Sequence, residues 1–442
     1  MERYEKYRDS GIEWLGEIPE EWEYSKLKYE TTKIIDGTHF TPTYVSEGIP
    51  FLRVTDIQTN NIDLDNVKRI PKEEHKQLIK RCNASKGDVL LSKNGTIGIT
   101  KVVDWNWEFS IFVSLCLLKF KENVSNRYFS FFFDSNIVDQ QISESSKKTS
   151  VTNLHLDKIK ELLIILPPKP EQTVIANYLE RKTVEIDELI AQKERLLELY
   201  EEEKIAIINQ AVTKGINPNV KLKDSGIDWL GEIPEHWEVK KLKYVASANP
   251  SNIDKKSKDN EEVVLLCNYV DVYKNEFINS ELTFMNATAG EDQIRKFILE
   301  KGDVIATKDS ETPDDIATPA LVVEDFDKVV CGYHLTHIKP KSINGEYLFR
   351  YFQTNYLNSY FKVSTNGVTR YGLGVDKFNS ALIINPSKLE QTAIVKHIET
   401  ETARINAKIT KTKKIITLQK EYRTALISEA VTGKIKVTQE VR

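Results

Sequence analysis

The residues that could do chemistry are few, and their spacing argues against catalysis. Asn-Pro strings stand at Asn217-Pro218-Asn219, Asn249-Pro250-Ser251 and Asn385-Pro386-Ser387. None carries the second proline and aromatic ring with which an amino-methyltransferase would hold a flipped base. Gly372-Leu373-Gly374 lacks the preceding strand and following helix of a nucleotide-binding loop, and no GxxxxGK[ST] string exists for a P-loop motor. His334 and His337 lie three apart in an alternating strand, so they point to opposite faces and read as structural rather than as a metal pair. Asp314-Asp315 sits in a Thr/Pro/Asp loop without a lysine at nuclease spacing. No catalytic site, metal or cofactor is expected in this chain.

Polar loops suited to nucleic acid recur instead. The first half carries Thr38 and His39 after Asp36-Gly37, then Arg53, the turn Lys93, Asn94, Gly95 and Thr96, and Lys148, Thr149 and Ser150. The second half carries Lys308 at the matching turn and Asn366, Thr369, Arg370 and Tyr371 at the place of 145–152. Lys, Arg, Asn, Thr and Ser contact phosphates and base edges, and the glycines permit close approach of the backbone. Taken singly these are ordinary polar loops; as a set at matching places they form candidate binding surfaces.

What positions them is an internal repeat. The leader DSGIEWLGEIPEEWEYSKLKY (Asp9 to Tyr29) returns as DSGIDWLGEIPEHWEVKKLKY (Asp224 to Tyr244), with 17 of 21 positions identical. Its Gly and Ile-Pro turns, pinned by Trp14 and Trp22 or Trp229 and Trp237, read as a structural clip. A long helix over Glu171 to Val212 returns over Glu390 to Val431; across 169–216 and 388–435, 17 of 48 positions match. The apolar or stem-bearing positions Ile175, Leu179, Lys182, Ile186, Leu189, Lys193, Leu196, Tyr200 and Ile207 follow a 4-3 spacing, the mark of a coiled-coil seam. Some forty residues at 1.5 Å rise make a rod of roughly 60 Å. The first copy holds 10 Asp/Glu against 5 Lys/Arg and the second 5 against 8, so net charges of −5 and +3 favour pairing with each other. An antiparallel pair would return the C-terminus to the first leader.

Between these parts, residues 31–168 read as a mixed, mostly β domain. Strands are expected over Pro50 to Ile57, Asp88 to Leu91, Phe109 to Phe120 and Leu162 to Leu166, with one helix near Asn126 to Ser143. Residues 245–387 repeat the plan with Lys301-Gly302-Asp303-Val304, a helix over Tyr347 to Phe361 and a strand over Ala381 to Ile384, but with unrelated loops. The fold class is thus α+β with pseudo-twofold symmetry, divided as leader 1–30, domain 31–168, helix 169–216, second leader 217–244, domain 245–387, helix 388–435 and tail 436–442.

The totals permit this. The 442 residues are 40% hydrophobic with a net charge of −4, so tight DNA binding would draw on a partner for electrostatic grip. Cys82, Cys116, Cys267 and Cys331 are scattered, as for thiols in a reducing compartment, and no apolar run is long enough to span a bilayer. A cytoplasmic protein without membrane contact is expected.

The pattern resembles the specificity subunit of type I restriction–modification systems. The resemblance is carried by LPPKPEQTVIANYL (Leu166 to Leu179) and its copy NPSKLEQTAIVKHI, by the leader, by IIDGTHFTP (Ile34 to Pro42) and by KGDVLLSKNGTIG (Lys86 to Gly98). The second domain departs from it, with KDSETPD where SKNGTIG would stand and no DGTH. The resemblance implies a non-catalytic reader of double-stranded DNA whose two target recognition domains each take one half of a bipartite asymmetric site. The paired helices would fix the spacing and dock two modification subunits, which methylate adenine N6 from S-adenosylmethionine. Restriction subunits would add ATP- and Mg-dependent translocation and cleavage. The alternative is a coiled-coil scaffold linking two protein-binding domains.

Overall fold

The computed structural model describes residues 2–59, 61–146, 153–227, 230–367 and 369–438, with side chains 144–146 outside the description. The chain forms two compact units, Met1–Glu194 with Lys414–Arg442, and Arg195–Lys413.

In the first unit, four antiparallel strands run in the order Thr31–Asp36, Leu115–Phe120, Val89–Ser92, Thr100–Val102. A smaller sheet pairs Arg69–Ile70, Ile49–Leu52 and Ser110–Ile111, the last two in parallel. Leu52, Leu90, Ile111, Leu115 and Leu117 belong to one buried cluster. The second unit repeats the frame: Ala246–Pro250, Leu335–Pro340, Val304–Thr307 and Pro319–Val322, extended by the short strand Phe277–Ile278. Its smaller sheet is Met285–Ala289, Glu262–Cys267 and Val329–Cys331, again with a parallel last pair.

Three expected elements are broken. The helix expected near Asn126 to Ser143 is two, Asn126–Phe133 and Asn136–Ser146, and that over Tyr347 to Phe361 is Gly345–Phe352 and Asn355–Ser364. At the second break Thr354 caps the new helix by accepting from Leu357 N–H, and buried Ser135 bonds back to the Phe132 carbonyl at the first. The run Phe109 to Phe120 is interrupted after Ile111, where Leu115 N–H bonds to the Phe112 carbonyl in a tight turn. The strand expected over Pro50 to Ile57 stops at Leu52, because Asp56 accepts from the Arg53 N–H and closes a 3-10 turn, Val54–Asp56.

The long helices run Lys169–Lys214 and Lys388–Val431 and pair antiparallel. In the first unit Arg423 Nε meets Asp187 Oδ1 at 2.9 Å and Lys420 Nζ meets Glu194 Oε1 at 3.4 Å. In the second unit Arg404 Nη2 meets Glu203 Oε1 at 3.7 Å, and Lys408 Nζ lies 5.4 Å from the Tyr200 ring. Every one of these contacts joins an acidic or aromatic residue of the first helix to a cation of the second, as the opposite charges require. The buried positions are Ile175, Leu179, Thr183, Ile186, Ile190 and Ile208 on the first helix and Ile398, Ile405, Ile409 and Ile416 on the second. Thr183, Ile190 and Ile208 replace the expected Lys182, Leu189 and Ile207, since a helix of 3.6 residues per turn drifts one position off a strict seven-residue repeat.

The leaders clip onto the helix ends. Trp22 Nε1 donates to Glu171 Oε2 at 3.0 Å, and Trp237 Nε1 to Glu390 Oε1 at 3.1 Å. Burial raises the Glu390 pKa, but His236, Trp237 and Ser387 outweigh it and hold the carboxyl at about 2. Gln172 and Gln391 are buried at the same places, each accepting a backbone N–H, from Ser125 and from Asn344, that would otherwise lack a partner. In the first unit the chain end returns to its start: Tyr7 Oη donates to the Gly433 carbonyl at 2.9 Å and Lys436 N–H to the Glu2 carbonyl at 2.8 Å. Trp14 is only half-buried, and Trp229 lies outside the described residues.

Gly433 is where this closure is tightest. Its φ is +71°, and a Cβ there would collide with Pro19 and the Trp22 ring. Gly433→Ala should therefore cost about 2–4 kcal/mol, against about 1 kcal/mol for Gly226→Ala, which has the same φ and open space. Thermal denaturation of the two variants checks the difference, and equal losses would remove the clip from the closure.

Candidate nucleic-acid interface

Each domain gathers its polar loops where the strands of the main sheet end. In the first, the chain leaves Asp36 through Gly37, whose Cβ would collide with the Ile111 carbonyl. Thr38 N–H then donates to the Ile111 carbonyl at 3.1 Å, and Val113 N–H to the Thr38 carbonyl at 2.9 Å, so Thr38 is buried and pinned between loops. Lys93 follows the strand Val89–Ser92, and its N–H donates to the Ser114 carbonyl while Ser114 Oγ accepts from Val54 N–H. The structure thus brings Thr38, Arg53 and Lys93 to one rim through Ser114 and the 110–115 turn.

The hub of that rim is Asp36, which the sequence marked only as part of the Asp36-Gly37 turn. Arg81 Nη2 lies 2.6 Å from its Oδ1, His39 Nε2 3.0 Å and Lys93 Nζ 3.4 Å from its Oδ2. Burial raises the Asp36 pKa, but Arg81, Lys93 and His39 together hold it below the usual aspartate value. Lys93 is buried, so it is not the exposed phosphate-binding lysine that its turn suggested; its charge is spent on Asp36. Arg53 is also engaged, its Nε and Nη2 each 3.1 Å from an oxygen of Asp56. His39 and Thr96 are exposed, and Asn94 bridges to Asn153. Lys148, Thr149 and Ser150 lie outside the described residues. An open cleft of about 340 Å³ beside the rim is lined by Thr38, His39, Phe40, Gln77 and Arg81 among others.

The second domain uses the same positions with other side chains. Lys308 N–H donates to the His334 carbonyl, as Lys93 does to Ser114, and Leu373 N–H donates to the Lys308 carbonyl, as Leu154 does to Lys93. Lys308 Nζ lies 2.7 Å and His334 Nδ1 2.9 Å from Asp309 Oδ2, and the Lys308 ammonium stands 4.6 Å from the Tyr333 ring. Burial raises the Asp309 pKa, and Lys308 and His334 more than reverse it. Tyr371 pairs with Ser310 in a short ladder, which places Tyr371 close to Lys308; Asn366, Thr369 and Arg370 are exposed. His337 is buried with its Nε2 2.7 Å from Asp303 Oδ2, so the two histidines serve different carboxylates. A smaller cleft of about 80 Å³ is lined by Asp254, Lys255, Asn268, Tyr269, Tyr333 and His334.

Asn268 was missed although a signal was present. Asn268-Tyr269-Val270-Asp271 repeats Arg53-Val54-Thr55-Asp56, and Asn268 N–H donates to Asp271 Oδ2 at 2.7 Å, as Arg53 N–H does to Asp56. Among the described residues no group of three or more His, Cys, Asp and Glu could hold a metal ion. The four cysteines are buried and free, and among the described residues no helix is long and apolar enough to cross a membrane.

Two copies of one domain frame, each with a rim in which cations share a carboxylate, and two long helices that pair antiparallel define a duplicated chain. The chain belongs to the type I restriction modification DNA specificity domain family, whose model matches residues 19–199 and again 234–418. It is similar to the putative type I restriction enzyme MjaX specificity subunit of Methanocaldococcus jannaschii, 26% identical over 74% of this chain and 78% of the relative. The MjaIX specificity subunit of the same organism is 23% identical over 96% of both chains. A chain solved in work on complex assembly and conformational transition of the type I R-M system shares the fold, with a TM-score of 0.70, 14% identity and coverage of 95% of this chain and 99% of its own. The HsdS subunit of Thermoanaerobacter tengcongensis gives a TM-score of 0.52 at 15% identity, covering 95% of this chain and 98% of that subunit.

Asp36→Asn should cost about 3–5 kcal/mol, because buried Lys93 loses its counter-charge. A carboxyl with a lowered folded pKa stabilises above the unfolded value of about 3.9 and loses that contribution as pH falls through the folded value. The advantage of the natural protein over the variant should be full at pH 6 and shrink below about pH 4 in denaturant titrations. At the other rim, Arg370→Ala should weaken duplex binding about equally across sequences and lower the salt slope by about 1 if it contacts phosphate. Loss confined to one base position would instead mark it as a base reader.

Proposed function

We propose that this specificity subunit reads a bipartite, asymmetric site in double-stranded DNA, one half through the domain at 31–168 and the other through the domain at 245–387. The observation that carries this reading is a shared skeleton with unlike rims: Lys93 and Lys308 hold the same backbone contacts, while Arg53 and Ser114 of the first domain are replaced at equivalent places of the second by Asn268 and His334. Shared frames with different polar groups recognise the same kind of ligand with different sequence. His39, Thr96, Asn366, Thr369, Arg370 and Tyr371 are the direct contacts, with Lys148, Thr149 and Ser150 from the first domain; Thr38, Arg53, Asn94, Lys93 and Lys308 shape the rims. The paired helices set the gap between half-sites and dock two modification subunits. Methyl transfer from S-adenosylmethionine, and ATP- and Mg-dependent restriction, belong to the partners, and the complex works in the cytoplasm.

Two experiments test this. Methylation sequencing of the host genome should show modified adenines in a gapped two-part motif that vanish when the gene is deleted; a motif that persists would overturn the reading. Removing one turn, Leu196–Leu199, together with the facing turn near Thr410–Lys413, shortens the helix pair by roughly 6 Å. At 3.4 Å per base pair the preferred gap should shrink by about two base pairs. An unchanged gap would free the helices of the spacing role.

A further inference from the structure

The leader retains more than its clip requires. Its buried residues Ile18, Trp22 and Leu27, with Ile233, Trp237 and Leu242 in the second copy, are accounted for by packing. Tyr29 and Tyr244 are not: they are 57% and 65% exposed, yet the string Lys-Leu-Lys-Tyr that ends in each is identical in both copies. Nearby exposed or half-exposed positions are mixed: Glu20 and Glu23 return as Glu235 and Glu238, while Glu21 stands against His236, Tyr24 against Val239 and Ser25 against Lys240. In both copies the preceding lysine rests over the ring, with Lys28 Nζ and Lys243 Nζ each 5.1 Å from the centroid.

A local salt bridge does not explain the retention. Lys26 and Lys28 both reach Glu161, at 2.7 and 2.6 Å, but the matching position in the second copy, the last residue of the helix Val375–Ser380, is Ser380. The lysines are kept where that carboxylate is absent. The place in the fold also separates this surface from the reading rims. Tyr29 precedes the strand Thr31–Asp36, whose far end is the rim, so six residues at about 3.3 Å each put roughly 20 Å between them.

We infer that Lys28-Tyr29 and Lys243-Tyr244 are two copies of one docking surface for a protein subunit that binds twice, through an acidic face that meets the lysine and the exposed ring. An aromatic ring pre-stacked on a cation loses little freedom on binding and suits an interface anchor. The inference rests on the proposed assembly with two modification subunits and adds a contact on each leader to the docking along the paired helices.

The test is titration calorimetry of the full-length chain with its modification subunit. The natural protein should show two tight sites. Tyr29→Ala or Tyr244→Ala should each leave one tight site and weaken the other at least tenfold, and the double variant should weaken both, with thermal midpoints unchanged because the rings are exposed. Two tight sites in the double variant would overturn the inference while leaving the functional reading intact. Tight assembly with weakened duplex binding would overturn it in favour of a DNA contact. No binding by the natural protein would strike the functional reading itself.

Discussion

Each unit depends on a buried tyrosine hydroxyl that joins parts of the chain from different repeats. Tyr128 Oη lies 3.1 Å from the Ile165 carbonyl and 3.0 Å from the Val431 carbonyl, and Tyr347 Oη lies 3.1 Å from Ile384 and 3.2 Å from Val212. The last carbonyls of a helix have no partner within it, and burying them unpaired costs about as much as several ordinary packing contacts gain. The tyrosine meets that need, but only if the helix of the other repeat ends beside it. Each domain therefore completes its interior with a helix end that its own repeat does not supply. This is why an acidic helix and its basic duplicate fit the architecture: either helix paired with its own copy would set like charges along the flanks where Arg423–Asp187 and Lys420–Glu194 now meet.

With the frame held so, the rims are free to differ. The backbone bonds from Lys93 to Ser114 and from Lys308 to His334 fix where each loop stands, whatever the side chains are. Both rims then keep one carboxylate shared among cations, Asp36 in the first and Asp309 in the second. A shared carboxylate orders the cations around it and lowers the self-repulsion of a basic rim before any phosphate arrives.

The repeat, the helix pair and its charge match were legible because they are written in identity, period and composition, all local properties of the string. The ends of the two long helices were placed within two residues for the same reason. The rim was legible only in part. Lys93 looks like a turn lysine, yet it extends the buried run Val89–Ser92 and meets a carboxylate far along the chain. Asp36 owes its role as hub to Arg81, which follows it by 45 residues, and no short window contains both. The breaks at Ser135 and Thr354 interrupt helices whose apolar period continues across them, so periodicity alone reads each pair as one.

The position shared by Arg53 and Asn268 shows how this frame lets its two rims differ. A guanidinium offers donors only, and here both of the donors that face Asp56 are taken, leaving a fixed positive edge. An amide offers donors and an acceptor without charge, the pattern that matches adenine rather than guanine in the major groove. Exchanging one for the other leaves the 3-10 or helical turn beneath unchanged, because the closing bond runs from the backbone N–H to Asp56 or Asp271 and does not involve the side chain that differs. The chemistry of the rim can thus change at such a position without unsettling the turn beneath it, while the clips and helices stay the same.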